Sequence, residues 1–325
     1  MRVIIRRIGF YILTALAAVT VDFFIPRVMP GNPVEAVLAH LQGQVTPATI
    51  HSLELQYGLN SSASLWDQYV SYWSNLLHGN LGLSTSYYPS SVTDVIRGAI
   101  PWTIGLVGMS TIISFALGTL LGILVAWRRG TWLDNLLPAT TFFQAAPYFF
   151  VAFIALDLFA TRLGWFPTGR AYSQDAFPAM TGNYVVDVLY HAVLPAFTIV
   201  LCSAAGWIVG MRNVMVTTMD EDYVLVAQAK GLPKSRVIGY AARNAILPSV
   251  SGFSLAIGFV VSGALLTEIV FSYPGLGWIL LQAVGSRDYP LLQGIFLIIT
   301  FAVLAANLVA DFVYVFLDPR TRQEA

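Results

Sequence analysis

The sequence predicts an all-α, polytopic membrane protein, and three observations carry that prediction. Charge is scarce, since 57% of the 325 residues are hydrophobic and only 10% are charged, against about 25% in an ordinary soluble domain. Mean hydropathy is correspondingly high, at +0.70. The few charges are also unevenly spread. No Asp, Glu, Lys or Arg occurs from Gly98 to Trp127, Asn135 to Leu156, Val188 to Met211, Asn244 to Thr267 or Tyr289 to Ala310, intervals of 30, 22, 24, 24 and 22 residues. A helix of about 20 apolar residues crosses a hydrocarbon core of roughly 30 Å. A sixth segment, Ile8 to Pro26, is apolar apart from Asp22. Helices satisfy their own backbone hydrogen bonds in lipid, whereas the alternating strands of a membrane barrel would not read as continuous apolar runs. The same composition excludes disorder. With 17 basic residues balancing 17 acidic ones, no global positive field points to nucleic acid. A single cysteine, Cys202, excludes a disulfide framework and a thiolate-rich metal site.

Taken in order, residues 1–29 form a basic tail and a first span. Arg2, Arg6 and Arg7 ahead of an apolar run would also suit a signal peptide. The small residues Ala15, Ala17 and Ala18 lie mid-run, however, so an uncleaved helix is expected. Residues 30–98 form an external subdomain rich in Ser, Asn, Gln and Tyr. Within it Leu65, Trp66, Tyr69, Trp73, Leu76 and Leu77 follow helical spacing, which predicts a short helix with one apolar face. That face suits the membrane interface or an external partner. Residues 99–317 form a core of five further spans, and 318–325 a cytoplasmic tail. Six spans place both termini on one side. If that side is the cytoplasm, twelve Lys and Arg lie inside and five outside, so the positive-inside rule predicts N-in, C-in.

Between the fourth and fifth spans, the cytoplasmic segment 212–248 carries dense helix punctuation. Thr218 and Glu221 stand in the capping-box relation, and Asp220, Glu221 and Asp222 place negative charge at a helix start. Lys230, Gly231 and Pro233 mark its end, with Gly231 suited to a left-handed cap. These signals predict a helix from Met219 to Lys230 and a second short one from Lys234 to Ala245. A helix this short is marginal alone and must pack on something. Tyr223, Ala227 and Lys230 share a face, and Ala227, Ala229 and Gly231 are small enough for another backbone to approach. A simple connector lying on the membrane would fit the same spacing.

Three runs stand in this segment: Glu221-Asp222-Tyr223-Val224, Ala227-Gln228-Ala229-Lys230-Gly231-Leu232 and Arg243-Asn244-Ala245-Ile246-Leu247-Pro248. Around them, in chain order, come Arg6-Arg7-Ile8, Pro30-Gly31-Asn32-Pro33, His78-Gly79-Asn80-Leu81-Gly82 and Arg162-Leu163-Gly164-Trp165-Phe166-Pro167. Glu268-Ile269-Val270-Phe271, Tyr273-Pro274-Gly275-Leu276-Gly277, Arg287-Asp288-Tyr289-Pro290 and Leu317-Asp318-Pro319-Arg320 complete the series. Together they resemble the permease subunits of bacterial ABC importers, in particular the B-type subunit of the dipeptide, oligopeptide and nickel branch. The resemblance covers nearly the whole chain. It departs at Leu225 and Val226, where the family pattern begins its loop with Glu-Ala, and at Asn32 and Asn80, where many relatives carry Asp.

The resemblance implies a type I importer: this chain, a second related permease subunit, two cytosolic ATPases and an external substrate-binding protein. The loop helix would be the coupling helix seated on an ATPase, a role carried to Glu221, Asp222, Tyr223, Ala227, Ala229, Lys230, Gly231 and Leu232. Cargo would be an oligopeptide, with an oligosaccharide or nickel chelate as further members of the substrate class. The residues agree with an external motor. The two lysines, Lys230 and Lys234, do not follow a phosphate-loop glycine pattern, so ATP and Mg²⁺ are expected on the partner ATPases and no cofactor on this chain.

Asp22, Asp157, Glu268 and Asp311 lie in or near spans, where a mid-helix carboxylate costs about 2.5–3.5 kcal/mol. Asp22, Asp157 and Asp311 are expected to snorkel or to pair with a neighbour, Arg27 in the case of Asp22. Glu268 and Asp311 are the candidates for a gating or structural role. A proton-coupled carrier could use such carboxylates, but would not need the punctuated cytoplasmic helix. A membrane hydrolase is disfavoured, because His40, His51, His78 and His191 are scattered with neither H-E-x-x-H nor G-x-S-x-G.

Overall fold

The described residues of the charge-free intervals are mostly helical, continuous in some intervals and broken in others. In this computed structural model, which describes residues 2–28, 64–175, 181–258, 260 and 264–317, the elements are helical. They are α1 (Arg2–Val28), α2 (Leu65–Leu77), α3 (Val92–Thr103), which passes through a π-helical turn (Ile104–Gly108) into α4 (Met109–Trp127), and α5 (Leu137–Ala145). Next come α6 (Tyr148–Ala155) with a π-helical end (Leu156–Arg162), α7 (Gly182–Met219), α8 (Asp222–Ala229) and α9 (Lys234–Gly258). Last are α10 (Leu265–Val270), α11 (Leu276–Ser286) and α12 (Tyr289–Leu317). Among the described residues β pairing is limited to one isolated bridge, Leu83 to Ser91.

Among the described residues, four continuous helical stretches are long and apolar enough to cross a bilayer: Arg7–Ile25, Val92–Trp127, Gly182–Met219 and Tyr289–Val309. The other two charge-free intervals are helical but interrupted. The chain breaks between α5 and α6 at Pro147, which is extended with φ −60° and ψ 133°. Proline disfavours helical backbone in the residue before it, and Ala146 is the last residue bonded into the preceding turn, through Phe142 O at 3.0 Å. In the interval Asn244 to Thr267, α9 stops at Gly258 and α10 begins at Leu265. Pro101, Pro195 and Pro248 are instead carried inside α3, α7 and α9.

The chain forms two units. The first holds residues 1–103 and 274–308. Ser64 and Ser91 start its helices α2 and α3. Each serine hydroxyl accepts from the amide three residues on (Asp67 at 3.1 Å, Asp94 at 3.0 Å) and donates to that aspartate at 2.6 Å, a serine–aspartate form of the capping box. The face of α2 turned inward is Gln68, Tyr69, Tyr72, Trp73 and Leu76, while Leu65, Trp66 and Leu77 are exposed. That face meets α1 around buried Phe23, whose ring contacts Tyr69 and Tyr72 at 5.1 and 5.7 Å. Buried Asp288 ties the 84–86 turn to the start of α12: it accepts from the Ser84 hydroxyl, the Ser86 amide (2.9 Å) and the Leu291 amide (3.1 Å). Where α3 crosses α12, a Cβ on Gly294 would stand 2.5 Å from Val92 Cγ1, so only glycine fits.

The second unit holds residues 104–273 and 309–324. Its centre is the packing of α4 on α7. Ser110, Ser114, Gly118, Gly122 and Ala126 recur every fourth residue of α4, and all are buried. A Cβ on Gly118 would lie 2.4 Å from Trp207 Cβ, and one on Gly122 2.7 Å from Met211 Cβ. Small residues at this spacing let helix backbones approach closely in lipid, where packing rather than water expulsion drives association.

Candidate functional site

The segment 212–248 is built as a capped peg. Helix α7 runs unbroken to Met219, and Asp220 closes it. Thr218 therefore does not cap the following helix; it lies in the last turn of α7, with its hydroxyl donating to Val214 O at 2.8 Å. The expected Thr218–Glu221 capping box is thereby corrected, and the helix is Asp222–Ala229 rather than Met219–Lys230. Glu221 is its N-cap through backbone alone: φ −73° and ψ 144° turn the chain, and its carbonyl accepts from Val224 and Leu225 amides at 2.9 and 3.2 Å. The expected Lys234–Ala245 helix also does not end there. It continues as α9 through Pro248 to Gly258, so the segment after the peg is one rod with the next apolar interval.

The end of α8 follows the predicted pattern. Gly231 has φ 72°; its amide donates to Gln228 O at 2.9 Å and that of Leu232 to Ala227 O at 3.3 Å. This pair of bonds is the Schellman motif, whose usual apolar contact is supplied by Leu232 packing back on the cluster that holds Ala227.

That cluster seats the peg. Val224 and Ala227 are buried with Met211 and Met215 of α7, Ala126 of α4 and Val237, Ala241 and Ala245 of α9. Of the segment's predicted residues, Glu221, Asp222, Tyr223, Ala229, Lys230 and Gly231 are exposed, Leu232 is half-buried and Ala227 is buried. Ala227 thus faces inward, away from Tyr223 and Lys230; its small size serves the contact within the chain. Two residues that the spacing did not single out, Leu225 and Val226, are exposed at 49% and 52%. The signal for them was the departure from Glu-Ala at those positions. Exposed branched residues on a short helix outside the lipid-crossing intervals make an apolar face that the described residues leave uncovered.

A polar clip ties the turn after α4 to α7. Asp134 Oδ1 accepts from Arg212 Nη2 at 2.9 Å and Oδ2 from the Gly130 amide at 3.2 Å. The Gly130 amide and then Arg212 hold the Asp134 carboxyl below the ordinary carboxylate range. Nothing in the sequence reading pointed to this pair, because 78 residues separate the partners.

The membrane carboxylates divide. Asp157 pairs with Arg162 at 2.8 Å, both exposed, as a neighbour-paired side chain should. Asp22 is buried but does not pair with Arg27. Its Oδ2 accepts from Tyr72 Oη at 2.9 Å and its backbone oxygen from Gln293 Nε2 at 3.0 Å. Arg27 turns instead to Phe23 O (2.6 Å), Gln68 Oε1 (2.9 Å) and the Phe23 ring, 3.5 Å from its centroid. A guanidinium on an aromatic face plus two acceptors outcompetes a carboxylate already bound by a phenol. Glu268 is fully buried in α10, and its carbonyl accepts from the Tyr273 amide at 2.8 Å. The Asp311 side chain, like residues 29–63 with His40, His51 and Pro30-Gly31-Asn32-Pro33, and like 318–325, lies outside the described residues. His191 is buried, 3.4 Å from Asp187.

Against known proteins, the family described as binding-protein-dependent transport system inner membrane component matches residues 118–323. The chain is 32% identical to the di/tripeptide transport system permease protein DppB of Pseudomonas aeruginosa, covering 99% of this chain and 98% of that one. It is 31% identical to the dipeptide transport system permease protein DppB of Escherichia coli over 99% and 98%. With the oligopeptide transport system permease protein AppB of Bacillus subtilis, identity is 30% over 98% of each chain. A match that begins within α4, takes in the whole peg and continues through α12 leaves one conclusion: the chain belongs to the family of binding-protein-dependent transport system inner membrane components.

Proposed function

We propose that this chain is one permease subunit of an ATP-driven peptide importer, forming half of a translocation pathway with a second, related permease. Two cytosolic ATPases supply ATP and Mg²⁺ chemistry, and an external binding protein delivers di- or oligopeptide. Both termini lie in the cytoplasm, in keeping with the distribution of Lys and Arg.

The observation that carries this reading is the peg. Its inward residues Val224 and Ala227 lock it to three helices, so a push on α8 moves α4, α7 and α9 together as a rigid body. Its outward residues Tyr223, Leu225, Val226 and Lys230 are left for a partner. On this reading Glu221 and Asp222 flank the contact, Ala229 gives it clearance, and Gly231 with Leu232 keeps the end stiff. Substrate class follows the three relatives, whose names are those of dipeptide, di/tripeptide and oligopeptide systems.

The test uses the whole importer in native membranes. Cysteine at Leu225 or Val226 should crosslink to an ABC ATPase subunit, and cysteine at buried Val224 should not. Uptake by this chain alone in liposomes, driven by a proton gradient, would overturn the proposal in favour of the carrier.

A further inference from the structure

A half-open cavity of about 310 Å³ lies within the second unit, lined by Thr111, Ser114, Tyr148, Ser203, Trp207 and Val260 among others. Thr111 and Ser114 belong to α4, Tyr148 to α6 and Ser203 to α7, and each of these four falls within about four residues of the middle of its charge-free interval; Trp207, also of α7, lies one turn further on. The cavity therefore sits at the depth of the bilayer centre. It also opens beside the α5–α6 break at Pro147. Irregular backbone at that depth is tolerated where protein buries it or where it borders water, and transported solutes are commonly bound beside interrupted helices.

The lining has a definite chemistry. Among the described residues it contains no Asp, Glu, Lys, Arg or His. Thr111 and Ser114 spend their protons on their own helix, donating to Val107 O at 2.7 Å and Thr111 O at 3.0 Å. Ser114 is fully buried, so of the two only the half-buried Thr111 offers its oxygen lone pairs to the cavity. Tyr148 Oη and Ser203 Oγ stand 3.4 Å apart. A lipid tail would not need these oxygens; a solute with N–H groups would. The volume is at the lower end of ligand sites, which run from about 300 Å³ upward.

We propose that this cavity is a transit site for peptide, accepting hydrogen bonds from backbone N–H groups at Thr111, Tyr148 and Ser203. Because its walls carry no formal charge, it passes acidic and basic side chains alike, leaving selection to the binding protein. This rests on the peptide-importer reading above.

The test compares Ser203→Asp with Ser203→Asn in the complete importer, measuring ATP-dependent uptake of an Asp-containing and a Lys-containing tripeptide. A fixed negative charge in a water-poor cavity should lower the acidic-to-basic uptake ratio by about tenfold or more, while Ser203→Asn leaves the ratio near wild type. An unchanged ratio in an active Ser203→Asp importer overturns the transit site and leaves the importer standing. Absence of ATP-dependent peptide uptake in the wild type would instead sink the reading on which it rests. If Ser203→Asp does not insert, Thr111→Cys in a Cys202→Ala background decides. Reaction with an impermeant thiol reagent during turnover, with loss of uptake, supports the site; a thiol that stays unreactive, or reacts without loss, as in a lipid-filled groove, overturns it.

Discussion

Gly231 has open space where a Cβ would be, with no atom within 4 Å. Within this chain the case for glycine there is its backbone conformation, φ 72°. A left-handed residue other than glycine or asparagine costs roughly 1–2 kcal/mol. We expect Gly231→Val to insert normally but to lose most stimulated ATPase activity and uptake, and Gly231→Asn to recover much of both. Equal losses in the two variants would show that size, not φ, matters. Gly122 is the opposite case. Its Cβ would lie 2.7 Å from Met211 Cβ and 2.8 Å from Ile208 O, whereas Gly210, on α7, has nothing within 4 Å. In a helix interior Gly→Ala alone gains about 0.5–1 kcal/mol, and overpacking costs about 1–3 kcal/mol. Gly122→Ala should therefore lower the Tm of the detergent-solubilised protein, and Gly210→Ala should hold or raise it.

At the scale of elements, what could be read beforehand was what local chemistry decides. The end of α8 was legible because Lys230, Gly231 and Pro233 each act within one turn of the cap. Its beginning was not. Thr218 and Glu221 have the spacing of a capping box, but α7 had already claimed Thr218 through Val214 O. No local pattern reveals how far an incoming helix will run. The boxes that do form, Ser64–Asp67 and Ser91–Asp94, have the same spacing with aspartate in the third position. The clip between Asp134 and Arg212 lies beyond any local signal and has its own test. Its folded carboxyl is held below the unfolded value of about 3.9, so its stabilisation is present above that value and fades as pH falls through the folded one. Wild type should lose stability between neutral pH and pH 3 more steeply than Asp134→Asn, as read by thermal unfolding across that range. Parallel curves would mean the ion pair contributes nothing beyond its contact.

For the whole molecule, the decisive question is whether the interrupted intervals cross the bilayer. Charge spacing predicts six crossings, and four helical stretches are continuous enough to cross unaided. The segment α5–α6 with its π-helical end, Leu137–Arg162, is the one whose crossing fixes the rest. If it spans, the turn around Asp175 is external, α7 returns to the cytoplasm, and the peg with Arg212, Lys230, Lys234, Arg236 and Arg243 faces the ATPases. If it does not, α7 runs outward and carries those five basic residues to the outer face, against the positive-inside bias. A reporter fused after Arg320 would not separate these cases, because four crossings and six both return the C-terminus to the cytoplasm. A reporter inserted after Asp175 does. We expect an external signal there and a cytosolic one at a second insertion after Lys230. Reversal of that pair would move α8 out of reach of any cytosolic motor.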